Sequence, residues 1–471
     1  MPLPVLTIEQ MRDWEKATWA TDQTELEVMY RVGKEVAHTA LCMTRPGESV
    51  LIVAGKGHNG DDARFAAEHL AERRVEVLDV LDPREDFLKL EQRLAMSPAL
   101  LIDGLFGIGM NRPLGGDWVQ VIERINAAKS KVLAVDLPSG LNGNTGEPQP
   151  AAVEASVTLT VGAPKVGLLR QSAWQFVGRL AVAHEVGLTP CPCTSELLWT
   201  LPEDFSRFPP RRTVAGHKGT YGHAALLAGS PGYHGAAVLA SRGAQRAQPG
   251  LITLYTLPAV YPAIASQLQA VMVSEWSRES KLVENCTAIM AGPGLAAADV
   301  PVPLKNFIRQ SWLESPLAMV ADASALAWLT PGALQSNGVR VITPHPGEAA
   351  RLLGIKSQEV QSDRVTALRR LSERFGNTWV ILKGHQTLVG RSSGEVYVNC
   401  SGNPYLGQGG SGDLLSGYIA GLLAQPILAD DALKTLRYAV WQHGACADLL
   451  LAGRGGWVVE NLAEIMGEAS S

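Results

Sequence analysis

The stretch that decides the fold reads Gly402-Asn403-Pro404-Tyr405-Leu406-Gly407-Gln408-Gly409-Gly410-Ser411-Gly412-Asp413, and it runs straight into the apolar residues 414–423. Five glycines among residues 402–412 let backbone N–H groups turn toward a ligand, because glycine tolerates positive φ and close approach. The helix predicted to follow adds unsatisfied N–H groups and the positive end of its dipole. The stretch therefore predicts a site for an anion, and phosphate suits it best.

Asp413 stands at the junction of the loop and this helix. A carboxylate repels phosphate, so we expect Asp413 to take the proton from a hydroxyl group that attacks the phosphate. The alternative is a simple helix cap, because the same dipole favours an aspartate there. The density of glycines favours the phosphate interpretation, since a cap alone does not require it.

Composition bounds the class of protein. The 471 residues are enough for two or three domains, and 46% hydrophobic with 18% charged residues is typical of a well-packed globular protein. A net charge of −5 argues against a general nucleic-acid binder, which needs clustered basic residues. Low charge and a large apolar content also favour self-association, so we expect a homo-oligomer.

The cysteines and the apolar runs bear on the compartment. The six cysteines are scattered, and Cys191 and Cys193 lack the paired spacing of a zinc site. Such thiols fit a reducing cytosol. Residues 1–10 show no secretory signal, and no apolar run approaches the 18 or so residues that cross a membrane. The sequence therefore predicts a cytoplasmic protein without a membrane partner.

Short apolar strands alternate with helical patterns along the chain, which predicts an α/β fold with parallel sheets covered on both faces. A proline-rich break at 189–212 reads as a linker, so we predict two domains, 1–208 and 209–471. Ligands of such sheets bind at the carboxyl ends of the strands. The predicted strands are 49–54, 75–80, 100–102, 132–135, 157–161 and 180–183, followed by 224–228, 252–257, 288–291, 317–321, 339–343, 380–383 and 396–398.

Four loops of the first half follow predicted strands, at 55–62, 103–109, 136–140 and 163–167. Asp103 and Asp136 each come directly after an apolar strand, where a carboxylate can meet a ligand or a cation. Each is also a common turn former or helix cap, and singly the two interpretations are equally good. Together they favour a site.

The first half resembles the epimerase domain of the NAD(P)H-hydrate repair enzymes, the YjeF N-terminal domain. The matching motifs are Asp103-Gly-Leu-Phe-Gly107-Ile-Gly109, Val135-Asp136-Leu-Pro-Ser139-Gly140-Leu and Asn144-Thr145-Gly146. The resemblance implies a Rossmann-like three-layer domain, with Asp136 as the proton-transfer residue that interconverts the C6 epimers of the hydrated nucleotide. It also implies potassium ligands at Asn59, Asp103 and Ser139, and hydrate contacts at Asp136 and at His58, Asn59, Gly60, Asp61, Asp62, Gly107, Ile108, Gly109, Met110, Asn111, Arg112 and Pro113.

The loop at 55–63 departs from the family pattern Gly-x-Gly-Asn-Asn-Gly-Gly-Asp-Gly. His58, Asp61 and Ala63 replace Asn, Gly and Gly. Asp61 adds a negative charge beside a phosphate-bearing ligand, and the side chains limit backbone freedom. These changes weigh against epimerase activity, although they leave the domain resemblance intact.

The second half resembles the ADP-dependent NAD(P)H-hydrate dehydratase of the same family, which has a ribokinase-like α/β fold. The motifs Gly292-Pro-Gly294, Thr343-Pro-His345-Pro-Gly-Glu348 and Leu382-Lys-Gly384 occur in the family order before the opening loop. With the N-terminal motifs, the resemblance covers nearly the whole chain. It implies that ADP binds at Lys383, Gly384, His385, Gln386, Thr387 and Gly412, and that the hydrate binds at Ala236, Gly294, His345 and Asp413.

The resemblance implies a reaction in which Asp413 accepts the proton of the C6 hydroxyl while that oxygen attacks the β-phosphate of ADP. Backbone N–H groups of 409–412 and Mg²⁺ would neutralise the moving charge. Two other functions stay open: a small-alcohol kinase of the ribokinase type, and a scaffold that binds nucleotides without catalysis. The partners expected are thus NAD(P)H hydrate and ADP, with no nucleic acid.

Overall fold

The structure is a computed structural model that describes residues 1–110 and 112–470. It divides into two compact units: an N-terminal unit, Leu3–Ser195, and a C-terminal unit from Glu196 onward with Met1 and Pro2. The predicted hydrate contact at Asn111 lies outside the described residues.

The N-terminal unit alternates helices and strands. Its elements are β1 Leu3–Pro4, α1 Ile8–Trp19, α2 Glu25–Met43, β2 Ser49–Ala54, α3 His58–Ala66, β3 Arg74–Asp79, α4 Pro83–Ala95, β4 Leu100–Gly104, α5 Gly116–Asn126, β5 Lys131–Val135, β6 Val157–Val161, α6 Trp174–Val177 and β7 Arg179–Ala183. The predicted strands of this half all form, two of them with the predicted bounds.

The N-terminal sheet has the order β3-β2-β4-β5-β6-β7, and every pair in it is parallel. Its strands are continuous apolar runs because helices cover both faces. Val32 and Val36 of α2 belong to the core on one face, and Leu90 of α4 and Ile122 of α5 to the core on the other. The strand order reverses at β2, so a crevice opens at the carboxyl ends of β2 and β4.

The C-terminal unit is larger and also mostly parallel. Its elements are β8 Leu197–Trp199, β9 His223–Leu227, α7 His234–Arg246, β10 Leu251–Thr256, α8 Tyr261–Ala265, β11 Met272–Glu275, β12 Ala288–Ala291, α9 Val302–Glu314, β13 Ala318–Ala321, β14 Arg340–Ile342, α10 Pro346–Leu353, α11 Ser357–Ser362, α12 Arg364–Arg374, β15 Trp379–Leu382, β16 Leu388–Gly390, β17 Val396–Val398, α13 Ser411–Leu423, α14 Pro426–Ala429, α15 Ala432–Gly453 and α16 Val459–Ile465.

The strands of the C-terminal unit follow the order β8-β17-β16-β15-β14-β13-β12-β9-β10-β11. Strand β16 is the exception to the parallel arrangement, since it runs antiparallel to both β15 and β17. The chain moves outward from β9 in both directions, to β10 on one side and β12 on the other. A second crevice therefore opens at the carboxyl ends of β9 and β12.

Helix α13, which follows the glycine-rich loop, is packed against α7 through small residues. A Cβ atom on Gly417 would lie 1.9 Å from the carbonyl oxygen of Ala240, and one on Gly243 would lie 2.1 Å from that of Leu414. Only glycine permits such an approach of two helix backbones. This contact holds the N-terminus of α13 in a defined place at the sheet edge.

The segment predicted as a linker contains structure that belongs to the C-terminal unit. Strand β8 pairs in parallel with β17, and the buried Phe205 ring lies 5.2 Å from that of Trp441. Residues 196–208 therefore pack with the C-terminal unit, whereas the predicted boundary places them in the first domain. The sequence did not predict strand β8, because a strand of three residues is too short to show a hydrophobic period. The surrounding prolines also favoured a linker.

Among the described residues, no helix has both the length and the apolar character that a membrane crossing requires.

Candidate functional site

The predicted phosphate loop ends at the N-terminus of α13. Gly410 is the N-cap residue with φ of 95°, a left-handed conformation that glycine adopts without strain. Asp413 lies in the first turn and is partly exposed. Among the described residues, no side-chain or backbone donor pairs with its carboxylate. Burial, together with the nearby Asp322, raises the pKa of Asp413 to about 6.

Lys383 brings a positive charge to the same helix end. Its Nζ lies 2.8 Å from Oδ1 of Asp322, and a Cβ on Gly412 would lie 3.1 Å from this Nζ. Burial opposes the charged ammonium, but the carboxylates of Asp322, Glu348 and Asp413 outweigh it and raise the pKa of Lys383. An ammonium and a helix N-terminus thus face one space, which is the pairing expected of a phosphate site.

The predicted ADP residues 383–387 form the turn between β15 and β16. Gly384 and Gln386 have positive φ, and Thr387 closes the turn by donating from Oγ1 to the carbonyl oxygen of Gly384 at 3.0 Å. His385 is exposed at the tip of the turn.

Arg364, the first residue of α12, stabilises this turn through hydrogen bonds. Its guanidinium donates to the carbonyl oxygens of Leu382 at 3.0 Å, Gln386 at 3.2 Å and Lys383 at 3.3 Å, and also to that of His385. Burial lowers the pKa of Arg364 to about 10. Sequence reasoning missed this residue, since an arginine in a polar helix gives no signal of its tertiary role.

Two of the predicted hydrate residues meet at the second crevice. Gly294 follows β12, and Ala236 lies in the first turn of α7. A Cβ on Gly294 would lie 3.1 Å from that of Ala236 and 3.4 Å from Cα of Gly229, which follows β9. The structure therefore brings these residues together at the topological switch point.

His345 is the N-cap residue of α10. Its Nδ1 accepts a hydrogen bond from the backbone N–H of Gly347 at 3.0 Å, while Glu348 accepts from the His345 backbone at 2.9 Å. The side chain is half exposed, and its Nε2 lies 3.7 Å from Oε2 of Glu348. The cap fixes the ring, and Glu348 is close enough to act on the charges of Lys383 and Asp413.

Asp136 is the centre of the N-terminal site. Its φ of 64° is unusual for a residue with a side chain and marks local strain. Oδ1 accepts hydrogen bonds from Lys165 Nζ at 2.5 Å and the Val161 backbone at 3.2 Å, and Oδ2 accepts from the Ile108 backbone at 3.3 Å. Lys165 is fully buried, and it also donates to Thr160 Oγ1 at 2.9 Å.

Asp103 and Ser139, two of the predicted potassium ligands, are locked to each other. The Asp103 carboxylate accepts from Ser139 Oγ at 2.6 Å and from the Ser139 backbone at 2.8 Å. Burial raises the pKa of Asp103 to about 6, although the hydrogen bonds from Ser139 oppose this. Asn59, the third predicted ligand, has both amide atoms buried without a hydrogen-bond partner.

The loop departures have structural explanations. Asp61 is in an ion pair with Arg64 at 2.8 Å, and Arg64 also contacts Asp79, so the added charge is compensated. Ala63 is buried against Gly104, and a Cβ atom added to Gly104 would lie 2.5 Å from the Cβ atom of Ala63. His58 begins α3 with a largely exposed ring.

The remaining predicted hydrate residues divide into two groups. Gly107 lies at the site, since a Cβ there would be 3.1 Å from Asn59 Oδ1 and 3.2 Å from Asp136 Oδ2. Ile108 donates to Asp136, as described above, and Asp62 is buried nearby in α3. Gly60 packs on Gly55, whereas Gly109, Arg112 and Pro113 are exposed along the loop and Met110 is partly buried.

A cavity lies beside the N-terminal site. It has a volume of about 180 Å³ and lies between α1 and the loop after β4, lined by Arg12, Ile108 and Met110 among others. A larger one of about 740 Å³ lies at the C-terminal end of α7, beside Arg242 and Tyr418. None of the predicted site residues lines the larger cavity, so we assign the chemistry to the sheet edges.

The fold and these loops define the class: a Rossmann-like domain joined to a ribokinase-like α/β domain, as the sequence predicts. The structure of ADP/ATP-dependent NAD(P)H-hydrate dehydratase from Bacillus subtilis, co-crystallised with ATP/Mg²⁺, matches with a TM-score of 0.51 and 31% identity, over 57% of this chain and 95% of that chain. A ribokinase-like superfamily protein from Enterococcus faecalis shares the fold, with a TM-score of 0.51 and 22% identity over 59% of this chain and 96% of that one.

The sequence comparisons cover both units. A family model for NAD(P)H-hydrate dehydratase matches residues 224–466, and one for the YjeF-related protein N-terminus matches residues 25–96 and 80–167. The bifunctional NAD(P)H-hydrate repair enzyme of Coxiella burnetii is 32% identical over 464 residues, covering 93% of each chain. This chain belongs to the bifunctional NAD(P)H-hydrate repair enzymes, which confirms the resemblance inferred from the motifs.

Proposed function

We propose that the C-terminal unit converts hydrated NAD(P)H to NAD(P)H with ADP as phosphoryl donor, and that the N-terminal unit interconverts the C6 epimers of the hydrate. The proposal for the C-terminal unit rests on the carboxylate of Asp413. This carboxylate has no hydrogen-bond donor among the described residues and lies near Lys383 at the N-terminus of α13. The Bacillus subtilis relative that was co-crystallised with ATP/Mg²⁺ supports the choice of nucleotide.

Asp413 takes the proton from the C6 hydroxyl while that oxygen attacks the β-phosphorus of ADP, which releases AMP. The first N–H groups of α13 and the ammonium of Lys383 face the phosphoryl oxygens and stabilise their charge. Phosphate is a better leaving group than hydroxide. The ring nitrogen then expels phosphate, and loss of the neighbouring C5 proton restores the dihydropyridine.

The residues fit a magnesium ion that arrives with the nucleotide. Mg²⁺ is usually held by one or two carboxylates together with substrate phosphates. Asp322 and Glu348 lie close enough to Lys383 to raise its pKa, whereas the described residues contain no cluster of three or more His, Cys, Asp or Glu that could hold a metal alone. When bound, the ion neutralises charge on the phosphates.

In the N-terminal unit, Asp136 is the proton-transfer residue that interconverts the C6 epimers, and the buried Lys165 fixes its carboxylate. The orphaned amide of Asn59, together with Asp103 and Ser139, fits a potassium ion, because a buried unpartnered amide oxygen is an available ligand. Such an ion would supply fixed positive charge at the site. The loops at 58–62 and 107–113 hold the hydrate.

The test of the proposed function is the variant Asp413→Asn in the full chain. We expect it to keep its affinity for ADP but to lose turnover of the hydrate by about 100-fold or more, because the amide cannot accept the proton. Asp430→Asn, at an exposed aspartate of the same unit, serves as the matched control. The assay follows recovery of the dihydronicotinamide absorbance together with release of AMP.

Near-normal turnover in Asp413→Asn would remove Asp413 from the mechanism. A stable phosphorylated alcohol accumulating in place of NAD(P)H would instead assign the unit to the small-alcohol kinases. If the wild-type chain neither consumed ADP nor exchanged the epimers, the remaining function would be nucleotide binding without catalysis.

We infer that the protein works as a homo-oligomer in the cytoplasm. The low charge and large apolar content of the chain support association, and the six cysteines, all free thiols, fit a reducing compartment. Sedimentation velocity measures the oligomeric state, and a monomer at micromolar concentration would contradict the first part.

A further inference from the structure

Helix α1 and the residues just before it form hydrogen bonds at two points with the loops that contact Asp136. Just before the helix, the backbone of Leu6 donates to the carbonyl oxygen of Pro164 and accepts from Val166, each at 2.9 Å, so it flanks Lys165 on both sides. Inside the helix, Arg12 donates from Nη2 to the carbonyl oxygen of Ile108 at 2.6 Å. Lys165 and Ile108 are two of the residues that donate to Asp136, so α1 lies beside the site.

Glu15 lies one turn after Arg12 on the same face of α1. Its neighbours Met11 and Trp14 pack at Gly162 and Ala163, which follow β6 and lead to Lys165. The carboxyl group of Glu15 is partly buried and interacts with Asp136, Lys165, His58 and Arg12. Burial first, and Asp136 second, raise the pKa of Glu15 to about 7, whereas Lys165, His58 and Arg12 act to lower it.

Asp62, a second acidic residue near Asp136, lacks a hydrogen-bond donor to one of its carboxylate oxygens among the described residues. The residue is 8% exposed, and the oxygen without a donor is Oδ1. Burial, and then Asp136, Asp61 and Glu15, raise the pKa of Asp62 well above its ordinary value. With the unpartnered amide of Asn59 one turn earlier in α3, this is the pattern of a site arranged for a polar ligand.

We propose that Glu15 is the second proton-transfer residue of the epimerase site and acts in partnership with Asp136. The proposal rests on the proposed epimerase function and adds a residue to it. Inverting C6 requires a hydroxyl to leave from one face of the ring and a water to add to the other. Two carboxyl groups carried by separate elements, α1 and the loop after β5, can serve the two faces without moving the ring.

Protonated Glu15 gives its proton to the C6 hydroxyl, the C6–O bond breaks, and the hydroxyl leaves as water while the lone pair of N1 forms the N1=C6 bond. Water then adds to the opposite face of C6, the electron pair returns to N1, and the released proton goes to Asp136. Nothing is oxidised or reduced, and the reverse reaction exchanges the two roles.

The experiment measures epimer exchange above the enzyme-free rate in the full-length chain, with Glu15→Gln, Glu15→Asp and the control Asp13→Asn, an exposed aspartate of the same helix. For Glu15→Gln we expect kcat to fall by about 100-fold, with KM changed by less than about twofold. The wild-type rate should decline above about pH 7 with a slope that Glu15→Gln lacks. Glu15→Asp should recover part of kcat and shift that decline.

Exchange in Glu15→Gln within about threefold of wild type, or an unchanged decline near pH 7, would overturn the role of Glu15. Thermal melting followed by circular dichroism reports whether each variant is folded. If Glu15→Gln fails to fold, Glu15→Asp decides, and an unshifted pH profile in that variant overturns the proposal. Absence of exchange in the wild-type chain would instead refute the proposed epimerase function, and with it the role of Glu15.

Discussion

The ammonium of Lys383 lies 2.8 Å from the carboxylate of Asp322 and directly beside Gly412 at the start of α13. Asp322 is 2% exposed in its side chain, and it follows β13, whereas Lys383 follows β15. The pair therefore joins two strand ends and aims one positive charge at the helix N-terminus.

Replacing Lys383 by Met should raise the KM for ADP by about tenfold or more, because the phosphates lose their ammonium partner. It should also lower the free energy of unfolding by about 3 kcal/mol, since a buried carboxylate is left unpaired. Urea denaturation and ADP titration measure the two effects. The double variant with Asp322→Asn serves as the control and should be more stable than Lys383→Met. Equal stability of the two would show that the pair is not coupled.

The ADP-dependent reaction should lose rate as the pH falls through about 6. Asp413 must be ionised to accept a proton, and burial raises its pKa to about 6, so the active form decreases below that pH. We expect kcat to drop about tenfold per pH unit on this side. An aspartate with an ordinary pKa would keep full activity to about pH 5. A flat profile between pH values of about 5 and 7 would contradict the assignment.

Arg364→Lys should loosen the turn at 383–387. Lysine cannot bridge the several carbonyl oxygens that the guanidinium contacts, so the KM for ADP should rise by about fivefold or more while the KM for the hydrate stays within about twofold. Steady-state kinetics with each substrate varied separately test this. Arg370→Lys, an exposed position of the same helix, is the matched control. A parallel rise of both KM values would indicate general damage.

Exchanging potassium for tetramethylammonium should slow epimer exchange by about tenfold while leaving the ADP-dependent reaction unchanged. The physical reason is the unpartnered Asn59 amide, which the larger cation cannot satisfy. Potassium should also raise the melting temperature of the wild-type chain but not that of Asn59→Ala. Equal melting shifts in the two proteins would place the ion elsewhere.

Much of the fold could be predicted from local pattern. The strands at 49–54, 157–161 and 288–291 have the predicted bounds because each is a continuous apolar run bounded by turn residues. Strands β8, β11 and β16 escaped prediction. They have three or four residues each, too few to show a period, and they exist because neighbouring strands offer them hydrogen-bond partners.

The candidate sites divide in the same way. Glycine-rich loops and aspartates after apolar strands pointed to Asp136 and Asp413, because those residue types carry their chemistry in the sequence itself, and the family resemblance pointed to Lys383. Glu15 and Arg364 lie in ordinary-looking helices, where a charged residue is usually solvated. Asp61 shows the opposite case, since its charge looked harmful until its ion pair with Arg64 was known.

The sequence by itself determined the class of fold and the family, because hydrophobic period and glycine-rich motifs are local properties of the chain. Only the tertiary structure decided which charged groups meet. The proximity of Glu15 to Asp136, and of Lys383 to Asp322, depends on strand order and helix docking. Proton affinities follow from that placement, since burial and neighbouring charges, which no stretch of sequence specifies alone, set the pKa of each carboxyl group.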